Sequence, residues 1–265
     1  MTWLHVERSD SPLILAFPHG GTDIPDDLAG DFRSHWWAIR DADWHIRALY
    51  EGLVDATLIW TDISRSMIDC NRDPSGVSLY PGQATTGLCP LETFDGEPLY
   101  RQSATPDVDA RRAGWFAPYH AAIEAEIARL RERHPRVVLY DCHSIRSHIP
   151  RLFDGELPEL NIGTDNGATC DKALSDAVVA ACANRSHVLN GRFRGGWTTR
   201  HYGQPDKGVH AIQMEIAMRA YLHEPAGEPD ETNWPPVWDP DHAASLRADL
   251  SRVLAAALSF AKDQA

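Results

Sequence analysis

The sequence predicts an α/β fold with a mainly parallel or mixed central sheet flanked by helices. Short apolar runs alternate with longer segments of helical periodicity, which indicates this class. The 265 residues are enough to bury one large core. No internal repeat or obvious linker divides the chain. We therefore expect one domain over residues 1–265.

Strands are predicted where short apolar runs are bounded by turn residues. They cover residues 12–17, 57–61, 136–141, 186–190 and 209–216. Helices are predicted where apolar residues recur every three or four positions, over residues 34–52, 109–134, 169–183 and 241–262. Residues 73–106 are rich in Pro, Gly, Thr and Ser without periodicity, which predicts a long ordered loop over the sheet.

The chain carries 25 basic and 38 acidic residues, which gives a formal charge of −13. This charge opposes nonspecific attraction to nucleic-acid phosphates and anionic lipids, so we expect a small-molecule partner and neither nucleic acid nor membrane. No stretch approaches the ~18 uninterrupted apolar residues of a membrane span. If the small molecule is an anion, a few well-placed arginines must reverse the charge locally.

The five cysteines are scattered, odd in number and without a C-x-x-C pair. They favour neither a disulfide framework nor a cysteine zinc ribbon. The first ten residues lack the basic start and apolar run of a signal peptide. These features predict a cytoplasmic protein and leave its oligomeric state open.

Two histidines come directly after apolar strands: His19 in Phe-Pro-His-Gly-Gly and His143 in Tyr-Asp-Cys-His-Ser. Residues just past the carboxyl ends of parallel strands collect at one edge of the sheet, where ligands usually bind. Two neutral imidazoles and one carboxylate would form a three-ligand zinc site with a fourth position for water. The sequence thus predicts one zinc ion per chain, with iron, cobalt or manganese as alternatives.

The acidic ligand is less narrowly defined. The segment Arg-Asp-Ala-Asp-Trp-His offers Asp41 and Asp43, of which Asp43 is the first choice. Asp41 or Asp23 is the alternative ligand, and an aspartate that does not bind the metal can orient a histidine. Each histidine taken alone has a plainer interpretation as an ordinary hydrogen-bonded residue.

Glu215 lies inside the apolar, strand-like segment 209–216. Such a placement is costly without a partner, and burial raises the pKa of a carboxyl group. Beside an activated water, Glu215 is therefore a sensible general base and later general acid. The alternative is a structural salt bridge at a strand end.

Positive groups for an anionic substrate occur in two clusters. Arg65, Asn71 and Arg72 flank an apolar turn, and a guanidinium binds a carboxylate in a bidentate manner that lysine cannot reproduce. The glycine-containing stretch 192–203 adds Arg200 and His201. The chain lacks G-x-S-x-G, H-E-x-x-H, Walker and G-x-G-x-x-G motifs, which weakens serine-hydrolase, protease, nucleotide-hydrolase and dehydrogenase hypotheses.

With these residues in view, most of the chain resembles the N-formylglutamate amidohydrolase (N-formylglutamate deformylase) family. The resemblance depends on an ordered set of motifs, each of them weak alone: Pro18-His19-Gly20-Gly21, Asp41-Ala42-Asp43-Trp44-His45, Ser64-Arg65, Asn71-Arg72, Asp141-Cys142-His143-Ser144, Gly163-Thr164-Asp165-Asn166-Gly167, Arg200-His201-Tyr202-Gly203-Gln204-Pro205 and Gln213-Met214-Glu215.

That family is distantly similar to the zinc carboxypeptidases and aspartoacylase, which implies a zinc-carboxypeptidase-like (phosphorylase/hydrolase-like) fold. The comparison implies that His19 and His143 bind zinc, that Asn71 and Arg72 hold substrate, and that Glu215 handles protons. The wider group usually places a metal-binding Glu three residues after the first His, where this chain has Thr22. The acidic ligand must therefore come from elsewhere.

The resemblance implies a metal-dependent amidohydrolase that converts N-formyl-L-glutamate to formate and L-glutamate in histidine degradation. Arg65, Arg72 and Arg200 would hold the two carboxylates of the substrate, and Arg72 or His201 would help to hold the oxyanion. One alternative is a related zinc-dependent, aspartoacylase-like deacylase that acts on another N-acyl amino acid. The other is a non-catalytic dicarboxylate-binding protein.

Overall fold

A seven-stranded mixed sheet forms the centre of the molecule in a computed structural model that describes residues 2–102 and 104–263. Its strands are β1 Leu4–Glu7, β2 Leu13–Phe17, β3 Thr57–Thr61, β4 Val137–Ile145, β5 Leu160–Gly163, β6 His187–Leu189 and β7 Val209–Ala217. Their spatial order is β1-β3-β2-β4-β7-β5-β6. The predicted α/β class is confirmed.

The central part of the sheet is parallel and its borders are not. Strands β3, β2, β4 and β7 run in the same direction, so their carboxyl ends meet at one edge. Strand β1 pairs antiparallel with β3, and β5 pairs antiparallel with β7. The sheet is therefore mixed, and its parallel centre provides the edge where ligands usually bind.

Eight α-helices within the described residues surround the sheet. They are α1 Asp26–Ala29, α2 His35–Ile39, α3 Ile46–Tyr50, α4 Val108–Arg111, α5 Ala117–Arg131, α6 Lys172–Ala181, α7 Trp197–Tyr202 and α8 Pro240–Lys262. A π-helical turn, Arg112–Phe116, joins α4 to α5. None of the helices in the described ranges combines the length and apolar character that a membrane span requires.

The alternation of side chains along β2 divides the core into two layers. Leu13, Leu15 and Phe17 belong to the cluster that includes apolar residues of α3, α6 and α8. Ile14 and Ala16 belong to the cluster on the other face, which includes apolar residues of α5. All five residues are buried, as expected for a strand that is covered on both sides.

The prediction of one helix over residues 34–52 is wrong in its middle. Helix α2 ends at Ile39 and α3 begins at Ile46, with a turn between them in which His45 has a φ of 58°. The backbone N–H of Asp43 donates to the carbonyl oxygen of His19 at 2.9 Å instead of continuing a helix. This tertiary hydrogen bond brings Asp43 to the edge of the sheet.

Two further differences affect the site. Strand β4 continues to Ile145, so His143 lies within the strand and not after it. Strands β1 (Leu-His-Val-Glu) and β5 (Leu-Asn-Ile-Gly) were not predicted, because polar residues interrupt their apolar runs. The prediction of a long loop is confirmed, since the described part of residues 73–106 contains only isolated β-bridges and turns.

Candidate metal centre and substrate cavity

His19, Asp43 and His143 form a possible metal-binding triad at the carboxyl edge of the parallel strands. One ligand atom from each lies within 4.8 Å of the others, and all three residues are buried. Oδ2 of Asp43 is 3.3 Å from Nδ1 of His143 and 3.8 Å from Nδ1 of His19. Within the described residues, this is the one group of His, Cys, Asp or Glu side chains with such geometry.

The far nitrogen of each imidazole contacts a second carboxylate. Nε2 of His19 is 2.7 Å from Oδ1 of Asp69, and Nε2 of His143 is 3.0 Å from Oδ2 of Asp141. A carboxylate that accepts a hydrogen bond from Nε2–H leaves Nδ1 free to bind a metal, an arrangement common among metal-binding histidines. Nδ1 of His19 is buried and has no hydrogen-bond partner among the described residues.

The electrostatics of His19 and Asp69 favour a neutral imidazole beside an ionised carboxylate. Burial, followed by the positive charge of Arg65, lowers the pKa of His19 to about 4. Burial alone would raise the pKa of Asp69, but Arg72, His19 and Arg65 outweigh it and hold that pKa well below its usual value. His19 is therefore in the protonation state that metal binding requires.

The other two acidic candidates lie elsewhere. Asp41 accepts a hydrogen bond from the backbone N–H of Phe94 at 2.7 Å and lies 3.7 Å from Arg146. Asp23 is exposed to solvent. Asp43, by contrast, is fixed by the backbone N–H of Ser144 at 3.0 Å.

A cavity opens beside the two histidines. The long loop over residues 73–106 and the segment after β6 form much of its wall. The lining residues are His19, Arg65, Asn71, Arg72, Tyr80, Ala84, Thr85, Thr86, Phe94, His143, Ile145, Leu152, Arg192, Phe193, Gly196, Gln213 and Glu215. The cavity thus combines two imidazoles, one carboxylate and three guanidinium groups.

Glu215 reaches this cavity because of the register between β4 and β7. The register pairs it with His143 on the neighbouring strand. Nε2 of Gln213 donates to Oε2 of Glu215 at 3.3 Å, and Oε1 of Gln213 accepts from the backbone N–H of Gly196 at 2.7 Å. Burial raises the pKa of Glu215 to about 7, although His143 opposes the shift. Glu215 can therefore be protonated or ionised near neutral pH.

The N-formylglutamate amidohydrolase family model matches residues 11–222. The chain belongs to this family. The matched segment contains every residue from His19 to Glu215 that the cavity and the triad use.

Two curated relatives cover most of this family member. N-formylglutamate deformylase of Pseudomonas aeruginosa is 40% identical over 269 residues, which is 98% of each chain. N-formylglutamate deformylase of Pseudomonas putida is 43% identical over 221 residues, covering 80% of this chain and 82% of the relative. The first match spans nearly the whole chain and therefore includes the motifs that carry the candidate site.

Two solved structures share the fold of this family member. The crystal structure of N-formylglutamate amidohydrolase from Ralstonia eutropha JMP134 superposes with a TM-score of 0.78 at 22% identity, covering 99% of both chains. A gene product from Agrobacterium tumefaciens gives a TM-score of 0.71 at 19% identity, covering 99% of this chain and 97% of that one. At these identities the likeness supports the architecture alone.

The predicted substrate-binding residues of this family member divide into two groups. Arg65, Asn71 and Arg72 line the cavity, whereas Arg200 and His201 are not among its lining residues. Nε of Arg200 donates to the carbonyl oxygen of Gly195 at 2.9 Å. The ring of His201 stacks on Trp197 with 4.7 Å between centroids, and 43% of its side chain is exposed.

Both the nitrogen and the oxygen of the Asn71 side-chain amide form hydrogen bonds. Nδ2 donates to Oδ2 of Asp141 at 3.0 Å and lies 2.8 Å from Nε2 of His143, while Oδ1 accepts from the backbone N–H of Thr198 at 2.8 Å. These contacts connect α7 to the histidine of β4. Asn71 is therefore held in one orientation at the cavity wall.

Sequence reasoning missed four residues of the site: Asp69, Asp141, Arg192 and Gln213. A signal existed for Asp141 and Gln213, because each lies two residues before a selected strand residue and so shares its face of the sheet. No comparable signal pointed to Asp69. Its contact with His19 spans fifty positions and depends on how the turn after β3 folds.

Proposed function

We propose that this chain hydrolyses N-formyl-L-glutamate to formate and L-glutamate with one divalent metal ion, zinc, held by His19, Asp43 and His143. The two curated relatives bear the name N-formylglutamate deformylase. The observation that carries the mechanism is the position of this triad beside Glu215 and a cavity rich in arginine. Histidine degradation in the cytoplasm is the proposed setting, supported by five buried, free cysteines.

The residues present fit a zinc ion. Two imidazoles and one carboxylate are a donor set that zinc prefers for catalytic sites. The unpartnered, buried Nδ1 of His19 is the atom that such an ion would satisfy, and Asp69 and Asp141 would fix the two rings. When bound there, zinc supplies Lewis acidity and strengthens water as a nucleophile at neutral pH.

Glu215 is the proposed proton carrier. Its pKa of about 7 suits a group that takes a proton from the attacking water and later returns it to the leaving nitrogen. The hydrogen bond from Gln213 limits where the carboxylate can point. Burial of Glu215 in the cavity wall also keeps bulk water from competing for the same proton.

Arg72 is the proposed binding group for one carboxylate of the substrate. Its Nε and Nη2 atoms donate to Thr86 at 3.0 Å each, which holds the guanidinium at the cavity wall. Arg65 offsets the charges of Asp43 and Asp69 and also lines the cavity.

The substrate contacts predicted for Asn71, Arg200 and His201 stay predictions. The prediction of a single catalytic domain over residues 1–265 also stays a prediction. Met1, Ser103, Gln264 and Ala265 lie outside the described residues.

The experiment is a formate-release assay on the metal-replete enzyme with N-formyl-L-glutamate, N-formyl-L-aspartate and N-acetyl-L-aspartate. The proposal expects N-formyl-L-glutamate to give the highest kcat/KM. Turnover confined to another acyl amino acid would replace the named substrate by that of a related deacylase. Binding of L-glutamate without turnover of any of the three would favour the non-catalytic dicarboxylate-binding protein.

A further inference from the structure

Three arginines line the cavity, and protein carboxylates neutralise them to different degrees. Arg65 contacts Asp43 at 3.1 Å and Asp69 at 2.9 Å, so two carboxylates already surround its guanidinium. Arg72 lies 3.6 Å from Asp69, which it shares with Arg65. Little positive charge therefore remains at Arg65 for a substrate.

Arg192 differs from both. Its Nε donates to the carbonyl oxygen of Leu152 and its Nη2 to that of Ala84, each at 2.8 Å. No carboxylate of the described residues forms an ion pair with it. A guanidinium carries five N–H donors, so several remain available at the cavity wall.

Two aromatic rings hold this guanidinium in place. It lies 5.5 Å from the centroid of Tyr80 and 5.3 Å from that of Phe193, and both rings line the cavity. The hydroxyl of Tyr80 donates to the carbonyl oxygen of Gly195 at 2.8 Å, which fixes the ring in turn. Arg192 is therefore ordered before any substrate binds, which lowers the entropic cost of binding an anion.

An anion bound beside Arg192 would compensate its positive charge. Burial and the nearby positive charge of Arg72 lower the pKa of Arg192. An arginine keeps its proton in spite of such shifts, so two like charges face the same cavity. A substrate carboxylate between or beside them would relieve this repulsion and compensate the partly buried guanidinium.

We propose that Arg192 binds the side-chain carboxylate of the substrate and so selects N-formylglutamate over neutral N-formyl amino acids. This inference rests on the proposed function. The α-carboxylate sits one bond from the carbon that bears the formylated nitrogen, so it stays near the histidines. Arg72 lies 3.6 Å from Asp69, which in turn contacts His19 at 2.7 Å, so we assign the α-carboxylate to Arg72. Arg192 then takes the more distant carboxylate.

The test compares N-formyl-L-glutamate with N-formyl-L-glutamine, which differ only at the side-chain terminus, a carboxylate in the first and a neutral carboxamide in the second. In Arg192→Gln, kcat/KM for N-formyl-L-glutamate falls by about 10- to 100-fold, the value of a hydrogen bond to a charged group. The kcat/KM for N-formyl-L-glutamine stays at the wild-type value. Arg192→Lys gives an intermediate loss confined to the glutamate substrate. The control Arg194→Gln removes an exposed neighbouring arginine and changes neither value.

Equal losses on both substrates, or no loss on N-formyl-L-glutamate, overturn the assignment of Arg192. A wild-type enzyme that releases no formate from N-formyl-L-glutamate contradicts the proposed function instead. Calorimetric titration with L-glutamate and L-glutamine then still decides the role of Arg192. Weaker binding of L-glutamate alone in Arg192→Gln supports it, and equal or absent binding of L-glutamate by both proteins overturns it.

Discussion

Asp69 holds the ring of His19 through a contact of 2.7 Å between Oδ1 and Nε2. The contact fixes which nitrogen of His19 carries the proton and turns Nδ1 toward Asp43. Asp69 also receives a hydrogen bond from Arg65 at 2.9 Å. A residue that binds neither the proposed metal nor the substrate thus determines the orientation of a ligand.

Asp69→Asn is expected to lower zinc affinity by about 10- to 100-fold, the usual effect of removing a group that orients a metal-binding histidine. An amide at this position can present its nitrogen to Nε2 and favour the wrong tautomer. The measurement is a zinc titration against a competing chelator, after circular dichroism has verified that the variant is folded. Unchanged zinc affinity would show that Asp69 does not orient His19 for metal binding.

Asp43→Asn is expected to abolish stoichiometric zinc binding, because Asp43 supplies the only carboxylate of the triad. Asp41→Asn serves as the matched control. Asp41 interacts with Phe94 and Arg146 and not with the histidines, so this variant keeps its zinc. Metal analysis of both purified proteins checks the pair, and the reverse pattern would make Asp41 the ligand.

Glu215→Gln is expected to keep zinc but to lower kcat by about 100- to 10,000-fold, the range typical of general acid–base catalysis. As a general base, Glu215 must be ionised, so wild-type activity falls as the pH drops through the pKa of that group. Burial places this pKa at about 7 in the protein, and a neighbouring cation lowers it. The acidic limb of the pH profile therefore lies at or below about pH 7.

The pH profile also separates a proton carrier from a merely structural carboxylate. Residual activity of Glu215→Gln is expected to be independent of pH across the acidic limb of the wild type. A variant that keeps the wild-type limb, or keeps wild-type kcat, would show that another group handles the proton.

Gly196→Ala is expected to lower the free energy of unfolding by about 1–3 kcal/mol, as overpacking usually does. A Cβ at Gly196 would lie 2.4 Å from Nδ2 of Asn71. That amide cannot easily move, because its Nδ2 donates to Asp141 and its Oδ1 accepts from the backbone N–H of Thr198. At Gly30, a Cβ would have no neighbour within 4 Å, so Gly30→Ala is the control. Denaturant unfolding compares the two variants, and equal stabilities would contradict the tight packing around Asn71.

The parallel centre of the sheet was predictable because its strands are apolar runs with polar ends. Strands β2, β3 and β7 lie within a residue or so of their predicted bounds. The common edge of such strands correctly suggested that His19 and His143 meet, although they are far apart in the chain. This part of the site follows from local pattern and the geometry of parallel sheets.

The positions of Asp43, Arg192 and Arg200 depend on tertiary contacts, which the local sequence pattern does not reveal. Residues 34–52 have helical periodicity, but the hydrogen bond between Asp43 and His19 breaks the helix and brings Asp43 to the histidines. From the basic stretch 192–203, the sequence analysis selected Arg200 and did not select Arg192. Only the path of the chain around Tyr80 places Arg192 at the cavity wall and ties Arg200 to Gly195.

The proposed mechanism requires that the triad of His19, Asp43 and His143 hold the metal used for deformylation. The most direct test adds zinc stepwise to chelator-stripped protein and measures formate released from N-formyl-L-glutamate at each step. Activity is expected to rise in proportion to zinc and to reach its plateau at about one ion per chain. Full activity in the stripped protein, with no response to added zinc, would contradict this expectation.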